Sequence, residues 1–252
     1  MNYKKLMDTA MLAGEVMMKS GAETYRVEDT MHRILRSANV QKTEAFAITT
    51  GIFATLDDPA IDSITMIRRI SERGINLNNI WQVNQISRDY CDGRLTLDEA
   101  YDSLKGIRQH EYKHWFVNLN IVLLIGSFAL VLGGSLLDMA LSAIVGIVLI
   151  TAMEFEKRYI FSSFIKNVLS STCIAIVAVG LHRVYPAAHQ DIITIAGMIP
   201  MVPGTAITNA IRDTLQGDYM SGGAKALEAF VIAASIAIGV AFGLLLLGGI
   251  QL

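Results

Sequence analysis

The chain has 252 residues, 52% hydrophobic and 17% charged, with a formal net charge of −2. The net charge carries no sign of a nucleic-acid partner, and none is expected; two cysteines, Cys91 and Cys173, make a disulfide framework implausible. Most of the charge precedes Trp115, so the average hides two regions suited to different solvents: a polar one over 1–112 and an apolar one over 113–252.

The opening MNYKKLMDTA lacks the apolar run of a signal peptide, which predicts that 1–112 stays in the cytoplasm. Leu6, Ala10, Ala13 and Met17 fall on one face of a first helix ending near Ser20-Gly21. Ser20 to Glu23 has the spacing of a capping box, with Thr24 as a competing N-cap. The second helix buries Val27, Met31, Ile34 and Leu35; its other face carries Glu23, Arg26, Glu28 and His32, and spacing alone reads that face as solvated. From Glu44 to Leu56 and from Ser63 to Ile70 the pattern turns β-branched and alternating, which predicts a strand pair broken at Asp57-Asp58-Pro59. Helices over about Leu77–Tyr90 and Leu97–Arg108 follow, the second opened by the capping box Thr96 to Glu99. The expected fold class is a membrane protein: a cytoplasmic α+β domain of order α-α-β-β-α-α, followed by an α-helical bundle of five transmembrane spans.

The spans are expected near Trp115–Leu137, Met139–Met153, Ile165–Val184, Asp191–Leu215 and Ala224–Ile250. Lys105, Arg108 and Lys113, then Lys157, Arg158 and Lys166, then Arg212 and Lys225 mark one side of the membrane, and the opposite connections hold only Arg183. The positive-inside rule therefore predicts a cytoplasmic N-terminus and an external C-terminus in a cell (inner) membrane protein. Ser170, Ser171 and Thr172 line a path or bond back to their own helix, the second being the simpler reading. Gly239 and Gly243 form a GxxxG, which lets another helix approach closely.

The fourth span is broken by Pro200, Pro203 and Gly204. Proline lacks an N–H and displaces the carbonyl four residues earlier, so the carbonyls of Ala196 and Ile199 need other partners. Residues 191–200 cover roughly 15 Å, half of a hydrocarbon core of about 30 Å, which puts the break near the midplane. Beyond it Thr205, Thr208, Asn209 and Arg212 share one face of a second half-helix, whose free N–H groups attract an anion. The alternative is a kink that serves packing alone. Asp213 and Asp218 flank the end of this segment as proton carriers or plain interfacial residues, and Lys225 and Glu228 have the spacing to pair with each other.

His110-Glu111-Tyr112-Lys113-His114 matches HExxH, the zinc-binding helix of metalloproteases. No third ligand cluster follows it and it stands at the membrane entry beside Trp115, so the expectation is no metal, no cofactor and no enzyme. A membrane-anchored sensor or scaffold is the other alternative, and it gives no reason for a mid-span break.

Several separated motifs then resemble the threonine/serine exporter family. Ser20-Gly21-Ala22-Glu23-Thr24 with Arg26, Val27 and Glu28 is similar to its N-terminal signature, and Arg73-Gly74-Ile75-Asn76 to its middle. Val202-Pro203-Gly204, Asn209-Ala210, Asp213, Gly217 and Ser221-Gly222 resemble its membrane motif. The resemblance implies export of small carboxylate-bearing metabolites, threonine and serine or a dicarboxylate such as succinate, driven by the proton gradient. The half-helix face and the membrane motif together make Pro203, Gly204, Thr205, Thr208, Asn209, Arg212 and Asp213 the candidate substrate-binding residues, and the N-terminal signature makes Glu23, Arg26 and Glu28 a possible cytoplasmic-domain motif. The resemblance also implies the larger subunit of a split transporter, completed by a small membrane subunit and compatible with a homo-oligomer.

Overall fold

The computed structural model describes residues 2–71, 73–107, 112–159 and 161–247. They form two compact units, one of Met1–His110 with Thr205–Leu227 and one of Glu111–Gly204 with Glu228–Leu252.

The first unit is built around α1 (Tyr3–Lys19), capped by the Asn2 side chain accepting from Lys5 N at 3.0 Å. Leu6, Met7, Ala10, Ala13 and Met17 are fully buried on it, as the periodicity predicts. Gly14 has no side chain where one would run into Met31, so α1 and α2 (Thr24–Arg36) approach closely. Val27, Met31, Ile34 and Leu35 of α2 complete that interface. The sheet has three antiparallel strands, β1 (Lys42–Ile48), β2 (Gly51–Asp58) and β3 (Ile61–Arg69), in the order β1-β2-β3. The expected strand over Glu44–Leu56 is therefore a hairpin: it reverses at Thr49-Thr50, where Ile48 pairs with Gly51. Two threonines are good strand residues and carry no turn signature, so the reversal left no mark on the pattern. Ala47, Ile52 and Leu56 face the core, and α3 (Leu77–Cys91) and α4 (Leu97–Gly106) close it. The Thr96–Glu99 capping box is present in full.

In the second unit, α5 (His114–Val131), α6 (Leu136–Lys157) and α7 (Ser163–Val184) lead to α8 (Gln190–Met198) and a 3-10 turn at Ile199–Met201. Two further helices, α9 (Gly204–Leu215) and α10 (Tyr219–Leu246), complete the chain. Among the described residues four helices are long and apolar enough to cross a membrane, or five if the pair on either side of the break counts as one broken span. The break stands where Pro200 and Pro203 put it, and the displaced carbonyls are recovered locally: Ile199 N donates to Ala196 O, and Val202 N to Ile199 O at 3.2 Å. Ile125, Ala129, Val145, Ile174 and Ile193 form the core of this unit. Ser171 and Thr172 bond back to Asn167 O and Val168 O at 2.6 and 2.7 Å, and Thr172 Oγ1 also donates to Gly239 O at 2.9 Å.

That last bond marks a specific helix contact at the GxxxG. A Cβ on Gly239 would strike Ser171 and the Val168 carbonyl, and one on Gly243 would lie 2.6 Å from the Ala175 Cβ and 2.8 Å from Thr172 O. All four obstacles are backbone atoms or short side chains, so the helices must separate to admit any side chain. Gly243→Val is expected to destabilise the protein by about 1–3 kcal/mol, the usual cost of overpacking. A thermal midpoint in detergent unchanged from wild type would remove this contact from the packing account.

Candidate functional site

Asn209, Arg212 and Asp213 lie three and four residues apart, on one face of α9, and all three bond to the start of α2 within the first unit. Asn209 Nδ2 donates to Gly21 O at 2.9 Å, and Arg212 pairs with Glu23. Asp213 Oδ1 accepts from Thr24 N at 3.1 Å and Oδ2 from Thr24 Oγ1 at 3.1 Å. Lys225, at the start of α10, donates to Asp213 Oδ2 at 2.5 Å and to Thr24 Oγ1 at 3.3 Å. The Asp213 side chain is 0% exposed and that of Lys225 8%, so this is an ion pair taken out of solvent.

Local sequence accounts for one side of this cluster. Gly21 takes a φ of +81°, and a Cβ there would come within 2.8 Å of Gly74 O, so the turn after α1 needs glycine on both counts. Gly74 N donates to Lys19 O at 2.8 Å and Asn76 N to Ser20 O at 3.0 Å, which holds the segment 73–76 against the same turn. Asn76 then caps α3 through Asn79 N at 3.1 Å. The two polar signatures of the first 112 residues thus meet at one point, and α9 adds the third.

The expected capping box at Ser20–Glu23 is absent. Glu23 occupies the N-cap of α2 without a side-chain cap bond, and the group that binds the first N–H of the helix is Asp213, 189 residues away. A carboxylate at a helix N-terminus is favoured by the peptide dipoles as well as by the hydrogen bond. Nor is the polar face of α2 a solvated one. Glu23 is 5% exposed, held by Arg212 and by Arg26 at 3.3 Å, while Glu28 Oε1 and His32 Nε2 accept from Ala47 N and Ala45 N of β1 at 2.8 and 3.3 Å. Those two bonds satisfy the free edge of the sheet. The Lys225 ammonium goes to Asp213 and Thr24.

Of the other substrate-binding candidates, Pro203 and Gly204 open α9, and Thr205 and Thr208 are exposed in its first turns. Of the HExxH motif, His110 and Glu111 lie outside the described residues, and His114 begins α5 as an exposed residue. Among the described residues no three of His, Cys, Asp and Glu are grouped so as to hold a metal ion.

The pair Asp213–Lys225 sets a direct test. Lys225→Met leaves a buried carboxylate with only Thr24 for a partner, and is expected to cost about 3–5 kcal/mol. Adding Asp213→Asn removes the orphaned charge and should recover part of that loss in thermal unfolding of the solubilised protein. No recovery in the double variant would show that the charge is not what holds the segment.

No solved structure matches the chain at a significant level. The Mycobacterium tuberculosis (strain ATCC 25618 / H37Rv) protein named "Probable threonine/serine exporter" is 21% identical over 249 residues, which is 97% of this chain and 46% of that one. The chain thus spans about half the length of this relative. The threonine/serine exporter family, one of exporters rather than enzymes, matches residues 8–247, so that the N-terminal segment, the break and both glycines of the GxxxG fall inside the match. The chain belongs to the threonine/serine exporter family.

Proposed function

We propose that the chain is one subunit of a secondary transporter that exports small carboxylate-bearing metabolites, amino acids such as threonine and serine or a dicarboxylate such as succinate. In this reading the proton gradient drives export, a small membrane subunit completes the path, the N-terminus is cytoplasmic and the C-terminus external. Family membership and up to five membrane-crossing segments support a multi-pass transporter. The observation that carries the reading is the position of Arg212.

Its side chain is 56% exposed while its partner Glu23 is 7% exposed, so the guanidinium is reachable although its present anion is not. A guanidinium presents a planar fork that suits a carboxylate, and an incoming substrate carboxylate competes with Glu23 for it. Glu23 loses little by the exchange, since its other oxygen already takes a bond from Arg26 at 3.3 Å. Asn209 adds an amide donor one turn away on the same face, and Thr205 adds an exposed hydroxyl in the first turn of α9. Asp213 and Lys225 are too buried to touch substrate in this arrangement; they fasten the helix that carries the site. Substrate arrival at Arg212 then weakens one of the bonds tying α9 to the start of α2.

The exchange makes opposite demands on its two partners. Measured as export of labelled threonine, serine and succinate from membrane vesicles that also contain the small subunit, Arg212→Gln should raise the apparent KM. The loss of a charged hydrogen bond, about 1.5–3 kcal/mol, corresponds to roughly ten- to a hundredfold. Glu23→Gln should lower the KM, because it removes the competing anion. Equal KM values in both variants at normal expression would take the substrate away from this face. Vesicles containing the chain alone should show inserted protein but no export, and full export there would remove the partner.

A further inference from the structure

A second polar cluster lies in the second unit, where α7 ends and α8 begins. A cavity of about 560 Å³ is lined there by His182, His189, Gln190, Asp191 and Thr194, with the connection at Pro186–Ala188 and apolar residues of α8 and α10 forming the rest of its wall. Behind His189 stands Asp138, the third residue of α6, 0% exposed. Its carboxylate accepts four hydrogen bonds: from Ser135 N at 2.7 Å, Ser135 Oγ at 2.8 Å, His189 N at 2.7 Å and His189 Nδ1 at 2.9 Å. Three of these donors are fixed N–H or O–H groups, the satisfaction pattern of an ionised carboxylate, and such a carboxylate selects the His189 tautomer that carries its proton on Nδ1. A buried anion needs a compensating charge, and the one ionisable group bonded to it among the described residues is an imidazole 57% exposed to the cavity side.

We propose that this cavity is a proton-uptake site in which His189, backed by the buried Asp138 carboxylate, holds the proton. A proton from water adds at the ring nitrogen that is not bonded to Asp138, giving an imidazolium whose Nδ1–H stays on the carboxylate; loss of the proton reverses the step. The surrounding charges favour the cation. Asp138 reaches it from α6 and Asp191 from its own helix, and both hold His189 above the ordinary histidine range. From α7 come His182, whose Nδ1 donates to Ala188 O at 2.8 Å, and Arg183, whose guanidinium is turned to Leu247 O. From α10 the cavity receives only Val240 and Leu244. The site also joins the starts of α6 and α8, so its proton occupancy bears on how firmly α8, the helix leading into the break, is tied. On the orientation proposed above it opens on the external side, where a proton-driven exporter takes up its proton; in that use it rests on the transporter reading, but binding of the proton does not.

The test reads the histidine directly. Only a neutral imidazole is acylated by diethylpyrocarbonate, so brief exposures of the full chain in lipid nanodiscs at a series of pH values, followed by peptide mass spectrometry, give the titration midpoint of His189. N-acetylhistidine in the same tube is the reference. The His189 midpoint is expected above the reference, and Asp138→Asn should bring it down to or below the reference. Should that variant fail to fold, Asp191→Asn, which removes one neighbouring charge and no hydrogen bond to His189, should lower the midpoint by a smaller step. A wild-type midpoint at or below the reference, or one that neither variant moves, overturns the site. Failure of Arg212→Gln to change export kinetics would instead overturn the carboxylate path and leave this result standing.

Discussion

The Asp213 carboxylate is the group on which the first unit depends, because it serves three demands at once. It fills the N-terminal bonding position of α2 that Glu23 leaves empty, it satisfies the buried hydroxyl of Thr24, and it neutralises the buried ammonium of Lys225. None of these partners has a ready substitute nearby in sequence. A charge left alone in such a place costs several kcal/mol, so α2, α9 and the start of α10 form this arrangement together or not at all. That constraint explains why residues 205–227 belong to the same compact unit as residues 1–110 although about ninety residues of apolar helix separate them in the chain.

The same arithmetic assigns different duties to neighbouring residues of one helical face. Asp213, fully buried and paired, is too costly to disturb for a ligand that comes and goes. Arg212, one residue earlier and half exposed, is cheap to re-pair because its bond to Glu23 stands next to water and Glu23 has Arg26 in reserve.

Much of this was legible in the sequence, and the exceptions share a cause. The buried faces of α1 and α2, the Thr96–Glu99 box and the interruption at Pro200–Gly204 are local patterns, and each stands where periodicity or proline chemistry puts it. The hairpin at Thr49-Thr50 escaped because its turn uses strand-forming residues. The charged face of α2 looked solvated because its partners are 13 to 189 residues away: Ala45, Ala47, Arg212 and, for Thr24 beside it, Asp213. For Lys225 the spacing pointed to Glu228 and gave no sign of the buried carboxylate twelve residues before it, to which its ammonium donates. Grouping of the candidate residues Asn209, Arg212 and Asp213 on one face followed from spacing; what that face meets did not.

The two carboxylates of α2 carry this long-range wiring into pH dependence, and they do so with opposite signs. For Glu23, burial alone pushes the carboxyl up, but its own backbone N–H, Arg212 and Arg26 together hold it below the ordinary value. Its stabilising effect is therefore present above the unfolded value near 4.5 and is lost as pH falls through the lower, folded value. For Glu28, burial wins: with Asp218 and Asp213 adding repulsion, the carboxyl is raised, against the opposing pull of the Ala47 N–H and His32. A raised carboxyl favours the protonated form in the fold, so ionising Glu28 takes stability away as pH rises from 4.5 through its folded value. Acidification thus relieves Glu28 first, above 4.5, and loosens the Glu23–Arg212 contact only below it, so the two changes act in different pH ranges. The contact that varies is the one between Glu23 and α9, where a substrate carboxylate is proposed to compete.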